Sequence, residues 1–329
     1  MTTVKGVVRS FGATVRAIER EQQRKAREAA KRFKEQQKIQ AIEDARQAVE
    51  DYNFYVDMLQ SVHKNCTASV DWESIKSQPK PAEPKIFKNF ELKAREKLKN
   101  YKPSTLDKLF GSAKKKVVKL EDSVQKAIRK DKKQNDLNYE QFKKELEDWK
   151  ELQNIAKGIS EKNPEDYKRA IEYFNPFSDI AELGSKISFS FSEDLVDIDL
   201  FVNSLEVIPD YELRQTSTGK LSKKNMAKSK FNELYQDHIC SAVIRIAREV
   251  LAYLPLEIVR VNAVSELLNT KTGHKEEKPI LSVIIPIATL KNLNLDTIDP
   301  SDSMQNFVHK MKFVKTSGFK AVEKAELER

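Results

Sequence analysis

The sequence is short of the residues that staple and punctuate a chain. Its 329 residues hold two cysteines, Cys66 and Cys240, which excludes a disulfide framework and fits free thiols in a reducing compartment. Eight glycines and eleven prolines exclude collagen-like and Pro/Gly low-complexity chains. No apolar run reaches about 18 residues, so no transmembrane helix is expected. The start, Met1–Lys5, lacks the apolar core of a secretory signal. Its basic, amphipathic character suits a transit peptide, but Glu19, Glu21 and Glu28 arrive too early for one. The expected location is cytoplasmic. His63-x-x-Cys66 and His238-x-Cys240 lack finger-like spacing, so neither a metal nor a cofactor is predicted.

What is present is charge. Charged residues make up 33% of the chain and hydrophobic ones 39%, and the formal net charge is +9. The charge is segregated. Residues 1–40 carry 11 Lys/Arg against 4 Glu, residues 85–133 carry 17 against 6, and residues 136–199 reverse to 8 against 16. Two basic stretches of this kind suit a nucleic acid, an anionic membrane surface, or the acidic stretch of this or another chain.

The first half reads as helix. Gly and Pro are absent from residue 13 to 63, and Ala, Glu, Gln, Lys and Arg dominate. Ile42, Val49 and Val56, with Ala45, Tyr52 and Leu59 between them, form a heptad seam that needs a partner helix in this chain or another copy. Residues 65–87 read as a linker. Val70–Glu73 forms a short turn whose Trp72 packs back on the first helix, and Gln78–Pro84 is extended by its alternating prolines. Helix resumes over 88–101 and 104–160, with Phe110, Val117 and Val124 as a second seam. The polar run Arg129–Asp136 is either a solvated stretch of one helix or the tip of an antiparallel hairpin. A tip would lay basic 110–133 against acidic 136–153 and neutralise both. A short helix, 165–174, ends at Asn175-Pro176.

Beyond residue 184 the texture changes. Ile187, Phe189 and Phe191 alternate with serines, and Ile198, Leu200 and Val202 alternate with Asp197, Asp199 and Phe201, giving two strands. Residues 228–254 form a helix with the stripe Phe231, Tyr235, Ile239, Val243, Ile246, Val250 and Leu254. Leu256–Val264 and Ile280–Ile287 read as a hairpin around the polar loop 269–278, and Ser301 or Ser303 caps a last helix to about 311. The expected class is α+β: long N-terminal helices with coiled-coil character, then a C-terminal domain of sheet plus helices over 184–329.

Four places carry candidate chemistry. The approach to the central helix holds Lys220, Lys223, Lys224 and Lys228 before a helix N-terminus, which suits phosphate. Gly219-Lys220 lacks the spacing of a nucleotide-hydrolysing loop. The helix's polar stripe offers Arg245 and Arg248 to phosphate, and His238 with Ser241 as a dyad without a third group. Asp197 and Asp199 share a strand face and are the weak catalytic candidates, with Glu206 or Glu257, for a divalent-metal nuclease. Lys271 and His274 form a basic loop tip around Gly273. The leading reading is a non-catalytic nucleic-acid-binding or scaffold protein that self-associates through its helices and contacts a polyanion through its C-terminal domain. The alternatives are the nuclease and a purely structural assembly protein.

Overall fold

Two very long helices dominate the N-terminal half. The computed structural model describes residues 4–105, 112–178, 186–202 and 205–326, with side chains from Lys31 onward. Helix α1 spans Val4–Ser61. Its seam is real: Ala45 and Leu59 are buried, and Ile42, Val49, Tyr52 and Val56 are half-buried. The partner is this chain's own central helix and a neighbouring hairpin, not a second coil. The seam therefore no longer calls for another copy.

After a 3-10 turn, Val62–Lys64, helix α2 spans Trp72–Ser77, with the Asp71 side chain accepting from the Ser74 amide. Trp72, expected to pack back on α1, finds its partners elsewhere among the described residues. Its Nε1 donates to the Tyr253 carbonyl at 2.7 Å and its ring meets Phe174 edge-on. The proline segment runs along α4 (Ala113–Ser160): Trp149 Nε1 donates to the Gln78 carbonyl and Gln153 Nε2 to that of Ile75.

Helix α4 is continuous, so of the two readings of the polar run the single helix holds and the hairpin tip near Asn135 does not form. The polar run serves another purpose. Asp131, 3% exposed, accepts from the amides of Phe90 and Glu91 at the start of helix α3 (Asn89–Lys99). Asn135 both donates to and accepts from the Phe87 backbone. Two interior polar residues of one helix thus dock the start of another, and Asp131 satisfies two of the N–H groups that α3's first turn leaves unpaired. The second seam packs on α3, with Val124 and Ala127 buried; Phe110 lies outside the described residues. Helix α5, Pro164–Phe174, starts at an Asn163 cap and stops at Asn175 with φ 44°. It meets α4 at Gly158, where a Cβ would strike Asp166.

The C-terminal part is a six-stranded mixed sheet, ordered β1-β2-β5-β6-β7-β8. Strands β1 (Lys186–Phe191) and β2 (Leu195–Phe201) are antiparallel. Strand β2 is parallel to β5 (Ile258–Leu268), and the crossover carries the hairpin β3–β4 (Tyr211–Gln215, Leu221–Asn225) and helix α6 (Lys228–Tyr253). Strand β6 spans Lys275–Pro286. Helix α6 lays its expected stripe on the sheet, and Ile239, Val243, Ile246 and Val250 join Val196, Ile198, Val259 and Val261 in the core. Two short helices, α7 (Ile287–Lys291) and α8 (Pro300–Ser303), follow. The last helix expected to about 311 does not exist. Asp299 caps only α8, and Val308–Val314 becomes strand β7, because its side chains alternate between exposed and half-buried. Strand β8, Gly318–Lys320, closes the edge.

Candidate polyanion-binding surface

The polar stripe of α6 faces inward. Nineteen of the helix's 26 residues are buried, because the end of α1 and the following turn cover the side away from the sheet. Arg245 and Glu249 pair at 3.1 Å with side chains 9% and 1% exposed. Arg248 donates to the carbonyls of His63 and Lys64. The expected convergence of Arg245 and Arg248 with Lys223 on one phosphate-binding face is therefore not assembled. Arg248 anchors a chain segment some 180 residues away, which no local spacing reveals, while Arg245 is held by Glu249 on the next turn of its own helix.

The His238–Ser241 dyad does not form either. His238 Nδ1 donates to the Leu59 carbonyl. Ser241 Oγ accepts the His63 amide and lies 2.9 Å from His63 Nδ1. His63 Nε2 donates to the Leu295 carbonyl, so Nδ1 is the acceptor and the serine donates to it. Burial lowers the pKa of both histidines, which favours this neutral state. Ser241 and His63 are 0% and 1% exposed, so the pair is a structural clasp closed to substrate. Burial likewise pushes up the thiols of Cys66 and Cys240.

Asp197 and Asp199 do share a face of the sheet, the one turned away from α6. They are already engaged. Arg260 forks onto Asp197 with two bonds of 2.9 Å, and Asn262 Nδ2 reaches both carboxylates at 2.7 Å. Lys324, from the C-terminal stretch laid over this face, contacts Asp197 at 3.0 Å and Asp199 at 2.8 Å. Ser282 fixes the stretch by accepting from the Ala325 amide and donating to Asn262 Oδ1. Burial raises the pKa of Asp197, but the bonds from Arg260, Lys324 and Asn262 override it and bring the carboxyl down to about 2. Two carboxylates thus meet two cations in a closed network. Glu206 and Glu257 make no hydrogen bond or ion pair with it among the described residues.

The lysines before α6 have a different fate. They belong to the hairpin β3–β4, whose tip rests on α1. Gln215 Nε2 donates to the Ile42 carbonyl at 2.9 Å, and a Cβ on Gly219, at φ +80°, would sit 2.8 Å from Ile42 Cγ1. The inward side packs Tyr211 on Tyr52, and Lys223 lies over the Tyr211 ring, 3.7 Å from its centroid. Lys220, Lys223, Lys224 and Lys228 are exposed, and none forms an ion pair among the described residues. Beside the root of the hairpin, the open groove of about 850 Å³ is lined by tyrosines with Asp51, Glu206 and Asp210, so the basic surface stops there.

It continues the other way, along α1. Counting back from Ile42 in steps of four and three reaches Lys38, Lys34 and Lys31, all exposed and unpaired among the described residues. The same steps continue to positions Arg27, Arg24, Arg20 and Arg16. All seven positions fall within about 80° of helix circumference and span about 33 Å. One stripe of α1 is thus apolar from Ile42 onward, where hairpin and α6 cover it, and basic before that. The spacing is plain in the sequence, but a search for apolar periodicity passes over it. Lys271 and His274 sit at the β5–β6 turn around Gly273 (φ 72°), and no hydrogen bond or ion pair among the described residues links them to the hairpin or to α1. Comparison of the chain with protein-family models, curated proteins and solved structures gives no match.

Proposed function

We propose that this protein binds a nucleic-acid backbone without chemistry, through the basic stripe of α1 and the lysines of the β3–β4 hairpin. The observation that carries this reading is the docking of the hairpin tip at Ile42, which sets Lys220 beside a line of cations that begins at Lys38, far away in sequence. A row of lysines and arginines at a helical pitch of about 5.4 Å suits an extended chain of phosphates better than a single anion. Lys31, Lys34 and Lys38 are exposed and have no carboxylate partner among the described residues, so contact with phosphate breaks no internal bond. Electrostatic binding of this kind is independent of base sequence.

The test is fluorescence anisotropy with a labelled duplex at two salt concentrations. With about five phosphates contacted, a fourfold rise in salt weakens binding roughly 500-fold. The variant Lys34→Glu/Lys38→Glu/Lys224→Glu weakens binding equally for unrelated sequences. Wild-type affinity in that variant rejects the reading. Self-association that dissolves in salt, with no affinity for nucleic acid, favours the structural-assembly alternative instead.

A further inference from the structure

We propose that the groove between α3 and α4 is a second, separate site, and that it takes single-stranded nucleic acid. It rests on the polyanion reading for the class of partner and on its own geometry for the place.

The two helices run antiparallel, since the first turn of α3 sits at Asp131 and its later residues face Leu120 and Ser123. Lys93 and Lys97 lie one turn apart on α3, and Lys126 and Lys130 lie one turn apart on α4. The four line an open groove of about 540 Å³ floored by Ala94, Leu120 and Ala127. Phe90, 44% exposed, forms one wall, and Lys130 Nζ stands 5.9 Å from its ring centroid. Among the described residues, no acidic one lines the groove. Two carboxylates beside it are occupied: Asp131 accepts two α3 amides and Glu91 pairs with Arg95 at 2.6 Å. None of the four lysines forms an ion pair among the described residues.

As a device for stability this arrangement is a poor one, because like charges one turn apart on a helix repel. As a ligand site it is coherent. Lysine offers a point charge rather than a fork, which suits a flexible phosphodiester backbone rather than one fixed oxyanion. A cationic channel with an aromatic wall is how single strands are bound without base readout, the ring stacking on a base of any kind. Helices packed about 8–10 Å apart leave a channel for a strand, not for a duplex. The hairpin tip considered near Asn135 would have buried this charge against acidic 136–153. The continuous α4 leaves it facing solvent.

The experiment compares a labelled oligothymidylate of about twelve nucleotides with a duplex of equal length, using the full chain. Lys126→Gln/Lys130→Gln is expected to weaken the single strand about tenfold and to flatten its salt slope by about 1.4. Phe90→Ala is expected to weaken it about five- to tenfold without changing the slope. Duplex binding in both shifts less than about threefold. Lys126→Glu/Lys130→Glu gives a larger loss, and the glutamine pair decides if the glutamates disturb folding by circular dichroism. Wild-type affinity of the glutamine pair for the single strand overturns the groove. If the α1 variant loses duplex affinity in the same series, the polyanion reading survives that result. Failure of the wild-type protein to bind either probe ends both.

Discussion

Positive side chains meet opposite fates in the sheet domain and on the outer helices. In the domain, Arg245, Arg248, Arg260 and Lys324 all hold the fold: each finds a buried carboxylate, a carbonyl or an acid pair. On α1 and along the α3–α4 groove, Lys31, Lys34, Lys38, Lys93 and Lys126 find no internal carboxylate among the described residues. The difference follows from burial. A charge withdrawn from water must be compensated inside the protein, whereas a charge left in water need not be. Net charge along a sequence therefore says little about binding until the compensated share is removed, and here that share lies in the domain the sequence made the better candidate.

Three measurements can break this contrast. The largest effect is expected from Arg245→Ala, which strands Glu249, 1% exposed, without its partner. Urea unfolding should show a loss of about 3–5 kcal/mol, while Lys34→Ala/Lys38→Ala stays within about 0.5 kcal/mol. Similar values for the two would erase the distinction. The second concerns acid. Asp197 is held at about 2 against an ordinary 3.8, so its contribution is complete above its unfolded pKa and is lost as pH falls from about 4 toward 2. Asp197→Asn should cost roughly 2 kcal/mol at neutral pH and remove that part of the acid transition. An unchanged acid-unfolding curve would mean that the network does not form in solution. The smallest effect sharpens the picture on the outer helices, where Asp131 is structural and the groove lysines form no ion pair among the described residues. Asp131→Ala should cost about 1 kcal/mol and speed hydrogen exchange at the amides of Phe90 and Glu91. Lys126→Gln should leave both unchanged.

Much of the architecture was legible, and the misses share a cause. Strands β1 and β2 and helix α6 were readable because each has a side facing one core, and a single period marks it. The hairpin β3–β4 escaped because its inward apolar side chains, Tyr211 and Leu213, are few and set among charged neighbours. The stop at α8 escaped because Asp299-Pro300-Ser301 is a true start signal, and nothing local to it limits the helix to one turn. Asp131 and Asn135 looked like turn residues because their partners, Phe90 and Phe87, lie more than 40 residues away. The same distance problem hid the partners of Arg248. The basic stripe of α1 needed no structure to find, only the same three-and-four count applied to charge.

Helix α4 has one more consequence. Its 48 residues make a rod about 72 Å long. Residues 113–135 hold nine Lys/Arg and three Asp/Glu, and residues 136–160 hold four and six. Ile155 and Ile159 root the acidic end in the common core, while α3 braces the basic end. A lever charged in this way is turned by an external field before anything touches it. On the proposed reading, this charge asymmetry orients the molecule toward a phosphate-rich partner during diffusion, so added salt should first lower the rate of encounter rather than shorten the life of the complex.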